Sequence, residues 1–206
     1  MEVFLSNSSC SYRVQNRLLM KSPYCFIIKP VGLRRYDNIR KFGDTDFYIS
    51  SSQEDHKTSN RFAEVISVPI YYNGPVQPGD TVVVHHNVFK YYSDMKGRQK
   101  SSWNYIMDDL FLAEVDQIYL YKRDVNWQAV DPFIFIRPIP TEDKLISSTG
   151  AHESLWGEVV YKTNTISNVN VGDTVSFTPD SEYEFIIDGE TIYRMYNKNI
   201  CLKREK

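Results

Sequence analysis

Short apolar runs, each stopped by a proline, a glycine or a polar cluster, recur along the whole chain. They are Tyr24-Cys25-Phe26-Ile27-Ile28-Lys29-Pro30, Phe62-Ala63-Glu64-Val65-Ile66, Val82-Val83-Val84 and Asp116-Gln117-Ile118-Tyr119-Leu120. Further on come Phe133-Ile134-Phe135-Ile136-Arg137-Pro138, Trp156-Gly157-Glu158-Val159-Val160, Val175-Ser176-Phe177 and Lys198-Asn199-Ile200-Cys201-Leu202. No helical period persists beyond two turns. Runs of this length, rich in β-branched and aromatic residues and separated by turn signals, predict an all-β chain.

The runs form two matching series. Pro78-Gly79-Asp80-Thr81-Val82 returns as Val171-Gly172-Asp173-Thr174-Val175, and its neighbours return with it. The offset between copies is 137 − 29 = 108 at the base-proline pair and 158 − 64 = 94 at the glutamate strand. It is 172 − 79 = 93 at the Gly-Asp turn and 200 − 118 = 82 at the last strand. It falls only at expected loops while the order of parts is kept. That is the signature of a tandem duplication of one β unit, not of a short-repeat array. The division predicted is an N-terminal arm over 1–22, a first unit over 23–124 with a long loop, and a second over 130–206. A wide hairpin is expected over Phe89–Ile106, and a tight one at Asp188-Gly189.

Composition narrows the function. Hydrophobic residues make up 42% of the 206, enough for packed cores, and a net charge of −2 gives no overall nucleic-acid footprint. Cys10, Cys25 and Cys201 are odd in number, form no CxxC and read as free thiols. The first residues lack a basic start and a long apolar stretch, so a cytoplasmic chain is expected. His85-His86 would face opposite ways on a strand and so could not share one ion. Asp108-Asp109 has no base or nucleophile near it and reads as a solvated pair. With no GxSxG, P-loop or GxGxxG in the sequence, no enzyme and no cofactor are expected. Tyr91-Tyr92 beside Lys96, Arg98 and Lys100 places bases among aromatics, which could contact single-stranded nucleic acid, but such a hairpin is more often a solvated tip or a subunit contact.

The ordered parts have a known counterpart. Each copy has an apolar strand ending in a base and proline, a polar loop, a Gly/Ala-Glu-Val strand, a Gly-Asp-x-Val turn and a closing strand. This order, over about Tyr24–Leu202, resembles the GroES-like small chaperonin (co-chaperonin) family, in the tandem form of divergent bacteriophage-encoded lids. The resemblance implies two tandem GroES-like irregular β-barrels, assembled with other copies into a ring, usually a heptamer. Such a ring caps an ATP-loaded GroEL-type chaperonin over a folding substrate in the bacterial host cytoplasm, with ATP bound by the partner and not by this chain. Only Ser67–Gln77 and Tyr161–Asn170 occupy the place of the family's roof hairpin, so a taller or open dome is expected.

In the family, the loop after the first strand docks an apolar triplet in a chaperonin groove. By position and character the counterparts are Phe47, Tyr48 and Ile49 in the first loop, and Leu145 and Ile146 in the second, where Lys144 holds the first triplet position. Burying three such side chains is worth on the order of 5 kcal/mol before ordering costs, so single arms are weak and a ring binds by avidity. The competing picture is a virion or assembly structural protein that reuses the GroES-like barrels as packing modules, with the same side chains held in fixed contacts. Neither picture calls for nucleic acid or membrane.

Overall fold

The computed structural model describes residues 20–36, 39–48, 58–140 and 152–205. The chain divides into two compact units, Met1–Ile118 and Tyr119–Lys206. The early strands are β1 (Phe26–Pro30), β2 (Ile39–Phe42), β3 (Thr45–Tyr48), β4 (Phe62–Ser67) and β5 (Thr81–Val84). They are followed by β6 (Tyr92–Ser93), β7 (Gln99–Lys100), β8 (Tyr105–Met107), β9 (Leu110–Ala113), β10 (Ile118–Arg123) and β11 (Asn126–Ala129). The remainder are β12 (Phe133–Pro140), β13 (His152–Tyr161), β14 (Thr174–Phe177), β15 (Tyr183–Ile187), β16 (Glu190–Tyr196) and β17 (Ile200–Lys203).

One sheet runs β11-β10-β5-β4-β1-β9-β8 and the other β15-β16-β12-β13-β14-β17, with β2-β3 and β6-β7 as separate two-stranded ribbons. The all-β expectation holds, but the two irregular β-barrels do not. A barrel needs its first and last strands to pair. Among the described residues β8 and β11 end one sheet, and β15 and β17 the other, each with one neighbour. Short strands and turn residues reveal that strands exist. They carry no signal for the one extra pairing that would close a sheet.

Read from β10 and from β17, the sheets follow one order: β10-β5-β4-β1-β9-β8 and β17-β14-β13-β12-β16-β15. The details repeat as well. Ile28 lies opposite Val65 and Phe111, and Ile136 opposite Val159 and Tyr193. A register shift precedes each isoleucine, between Ile27 and Ile28 and between Phe135 and Ile136. A one-turn 3-10 segment, Val115–Gln117 or Asn197–Asn199, leads into β10 and β17.

The Gly-Asp turns repeat bond for bond. Gly79 and Gly172 sit at φ 91° and 86°, a conformation that costs glycine little. The Asp80 carboxylate accepts the Gln77 N–H at 2.8 Å, and that of Asp173 accepts the Asn170 N–H at 2.7 Å. The glycine N–H groups donate to the Val65 and Val159 carbonyls at 2.8 and 2.9 Å. Each turn is thereby tied to the glutamate strand beside it.

The continuous apolar run of β12 follows from burial on both faces, the condition that removes polar alternation. Ile134 and Ile136 join Val159, Ile166, Val169, Val175, Phe177 and Met195 in one core cluster. On the other side Phe133 packs edge-on against Tyr119 at 4.8 Å, and Phe135 lies near Phe185 at 6.4 Å.

One close approach separates the copies. Gly157 and Ala63 hold matching places opposite Pro138 and Pro30. A Cβ on Gly157 would fall 2.2 Å from Ile136 Cγ2 and 2.7 Å from the Arg137 carbonyl oxygen. A backbone oxygen cannot swing aside as a side chain can, so Gly157→Ala should destabilise the second unit by about 1–3 kcal/mol. Ala63→Gly should cost the first about 1 kcal/mol or less. Urea unfolding of the two variants checks the asymmetry; equal losses would contradict it.

Candidate functional site

The loop between β1 and β4 is fastened at its base. Tyr36 bridges Ser59, and the Asn60 N–H donates to the Arg35 carbonyl at 2.9 Å. The Asn60 side-chain amide donates to the Val31 and Arg34 carbonyls at 3.1 and 2.7 Å, and the Ser59 hydroxyl to the His86 carbonyl at 2.7 Å. Asparagine is suited to this work because one NH2 group can serve two carbonyls.

Two residues on the outgoing side lock this neck to the rest of the unit. The Arg35 guanidinium lies 4.3 Å from the ring centre of Tyr91, 4.8 Å from that of Phe111 and 5.0 Å from that of Tyr105, and donates to Ser101 Oγ at 3.0 Å. Several rings around one cation are worth more than a solvated charge. Tyr36 stacks on Tyr91 at 6.1 Å, and its hydroxyl oxygen accepts the Tyr91 N–H at 2.8 Å. Burial pushes the Tyr36 phenol above its ordinary pKa, against the opposing pull of that hydrogen bond. Arg35, which in sequence is one base in a basic stretch, is therefore an anchor. Its cue would have been the aromatics at 91, 105 and 111, which lie far away along the chain.

Beyond the neck the chain forms the β2-β3 ribbon around a Gly43-Asp44 turn, pairing Ile39 with Tyr48 and Arg40 with Phe47. Phe47 and Tyr48 thus lie on a strand, where the sequence suggested an irregular loop. Phe47 is 51% exposed. Ile49 lies outside the described residues, as do Leu145, Ile146 and residues 1–19 of the expected arm.

The base-proline positions carry matching ion pairs. Lys29 meets Glu64 at 2.9 Å across β1 and β4. Arg137 meets Glu158 at 3.4 Å across β12 and β13, and also Glu190 at 2.6 Å. The hydrogen bond to Glu190 is the main cause that raises the Arg137 pKa further, so this residue stays a cation. The first pair braces the end of β1, whereas the second lies within β12 and β13, which stay paired beyond it as far as Pro140 and His152.

The remaining candidates take other roles. His85-His86 lies beyond the end of β5, so strand alternation does not apply. The rings stack at 4.1 Å, and His85 Nδ1 accepts the Asn87 N–H at 3.1 Å. Among the described residues no group of three or more His, Cys, Asp and Glu side chains comes together to hold a metal. Asp108-Asp109 is the turn between β8 and β9, with Asp108 at φ 50°, matching Asp188 at φ 50° between β15 and β16. The wide hairpin expected over Phe89–Ile106 is instead the β6-β7 ribbon followed by the separate β8-β9 hairpin. Cys25 and Cys201 are free thiols.

Among the described residues no helix is long and apolar enough to cross a membrane. No protein-family model matches the chain, and no curated protein matches it.

Proposed function

We propose that the chain is a co-chaperonin, a two-unit lid that caps an ATP-loaded GroEL-type chaperonin and encloses a folding substrate. Its place is the bacterial host cytoplasm, and it is of bacteriophage type. The observation that carries this reading is the ordered set of five motifs, present twice, with a loop leaving after each base-proline pair. The docking groups are Phe47, Tyr48 and Ile49 in the first loop and Leu145 and Ile146 in the second. A tethered neck with an apolar segment beyond it favours the same reading, because it holds the segment at a fixed origin on the unit.

A lid needs several arms on one body. The end strands β8, β11, β15 and β17 have one neighbour each, and unpaired edges invite pairing with another chain. Head-to-tail pairing that closes gives a ring, for which seven copies is the expected number. Nucleotide belongs to the chaperonin in this scheme, so binding depends on ATP without any site for it here.

Capture on immobilised bacterial chaperonin, with and without ATP, tests the proposal. Retention with ATP and loss on its removal is the expected result, together with a closed oligomer by native mass spectrometry. A chain that stays monomeric at all concentrations and passes through the column under both conditions would end the lid reading.

A further inference from the structure

The net charge of −2 averages over an uneven distribution. Residues 90–100 contain Lys90, Lys96, Arg98 and Lys100 against Asp94 alone, 4 − 1 = +3, which leaves −2 − 3 = −5 for the rest of the chain. This basic segment spans the β6-β7 ribbon. Tyr92 lies opposite Lys100 across it, so both belong to one face. Asp94 is turned inward on its own turn, accepting the N–H groups of Lys96 at 2.9 Å and Arg98 at 2.8 Å. Met95, Lys96 and Arg98 are left exposed at the tip.

Trp103 adds a flat surface beside these charges. Its ring stacks on Tyr92 with centres 5.9 Å apart and only 9° between the planes, and it is 89% exposed. The stretch leading to it is fixed. The buried Ser102 hydroxyl donates to the Val88 carbonyl at 2.6 Å, and Ser101 receives Arg35 at 3.0 Å. The indole is thus held out on an ordered support.

We propose that the Tyr92-Trp103 face of the β6-β7 ribbon binds single-stranded nucleic acid. Lys96, Arg98 and Lys100 meet the backbone phosphates, and an unpaired base stacks on the open side of Trp103. An exposed π-face accepts any base, and nearby cations supply the electrostatic share of the affinity. An acidic polypeptide would use the cations but gains little from a coplanar aromatic pair. A duplex keeps its base faces hidden. The expectation of no nucleic-acid partner rests on the whole-chain charge, which conceals this segment. The proposal does not depend on the lid reading, because it uses none of the docking residues.

Fluorescence anisotropy of a labelled twenty-nucleotide oligo-dT, with the full chain, tests it. Three phosphate contacts predict that affinity falls about 20-fold between 50 and 200 mM salt. Trp103→Ala should weaken binding about tenfold or more, and Lys100→Gln should flatten the salt dependence. Both side chains are exposed, so the variants should keep the wild-type circular dichroism spectrum. Three results would each overturn the proposal: no binding at 50 mM salt, unchanged affinity in Trp103→Ala, or equal displacement of oligo-dT by poly-glutamate or duplex at matched charge.

Discussion

Phe111→Ala should remove about 3–5 kcal/mol from the stability of the first unit, the range for an aromatic deleted from a packed core. Phe111 is fully buried on β9, opposite Ile28 of β1. It meets Phe89 edge-on at 4.8 Å and Tyr105 at 5.6 Å, and the Arg35 guanidinium lies 4.8 Å from its ring centre. Truncation therefore removes buried area, two ring contacts and one wall of the cage that holds Arg35. The last effect reaches the neck of the first loop, because Arg35 and Tyr36 anchor its outgoing side. Hydrogen exchange should accelerate at Arg35 and Asn60 as well as in β1 and β9, while the second unit stays protected. The matched position in the other unit is Tyr193, 193 − 111 = 82 residues on, and it is only partly buried. Tyr193→Ala should cost its unit distinctly less. A loss below about 1 kcal/mol for Phe111→Ala, or exchange unchanged at Asn60, would contradict the packing argument.

Much of the strand inventory was legible because single residues force it. Gly79 and Gly172 must adopt positive φ, the following valines favour the pleat, and the aspartates close the turns with their own carboxylates. Lys29-Pro30 marks the end of β1, but Arg137-Pro138 does not end β12, which runs on to Pro140 and pairs there with His152; the tight turn at Asp188-Gly189 is legible directly. Three features were not read, for separate reasons. The Gly43-Asp44 turn was a hairpin signal, but the charges around it made the segment look like a plain loop. Asp108-Asp109 lacks a glycine, so its turn depends on the tolerance of aspartate for positive φ, a weaker cue that also resembles a carboxylate pair. Sheet closure is a pairing between distant strands and leaves no local trace. The resemblance supplied closure by analogy, and the open edges at β8, β11, β15 and β17 correct it. Of the candidate docking residues, the sequence found an apolar group in a polar setting. It could not show that Phe47 and Tyr48 lie on a ribbon beyond a neck fastened by Asn60, since the bonds of that neck join residues more than twenty positions apart.

Tyr48→Asp combined with Ile49→Asp should abolish chaperonin capture if the first loop docks. Each arm would lose the burial of two apolar side chains and would bring charge against an apolar groove, a penalty of a few kcal/mol. Arms on one ring act in parallel, so the loss multiplies with the number of copies and leaves no measurable retention. The ring itself should persist, because neither substituted position belongs to the edge strands β8, β11, β15 and β17. Native mass spectrometry on the same sample separates failed docking from failed assembly. The companion variant, Leu145→Asp with Ile146→Asp, asks the same of the second loop. Loss only in the first variant makes the second unit a spacer that raises the chamber. Loss only in the second leaves the longer first loop for contact with the enclosed substrate. The second loop offers two apolar residues after Lys144 where the first offers three, so the larger loss is expected from the first variant. If both variants are retained with ATP as well as the unaltered chain is, neither loop is a docking arm. The chain would then be a structural component of an assembly in which these side chains are held in fixed contacts.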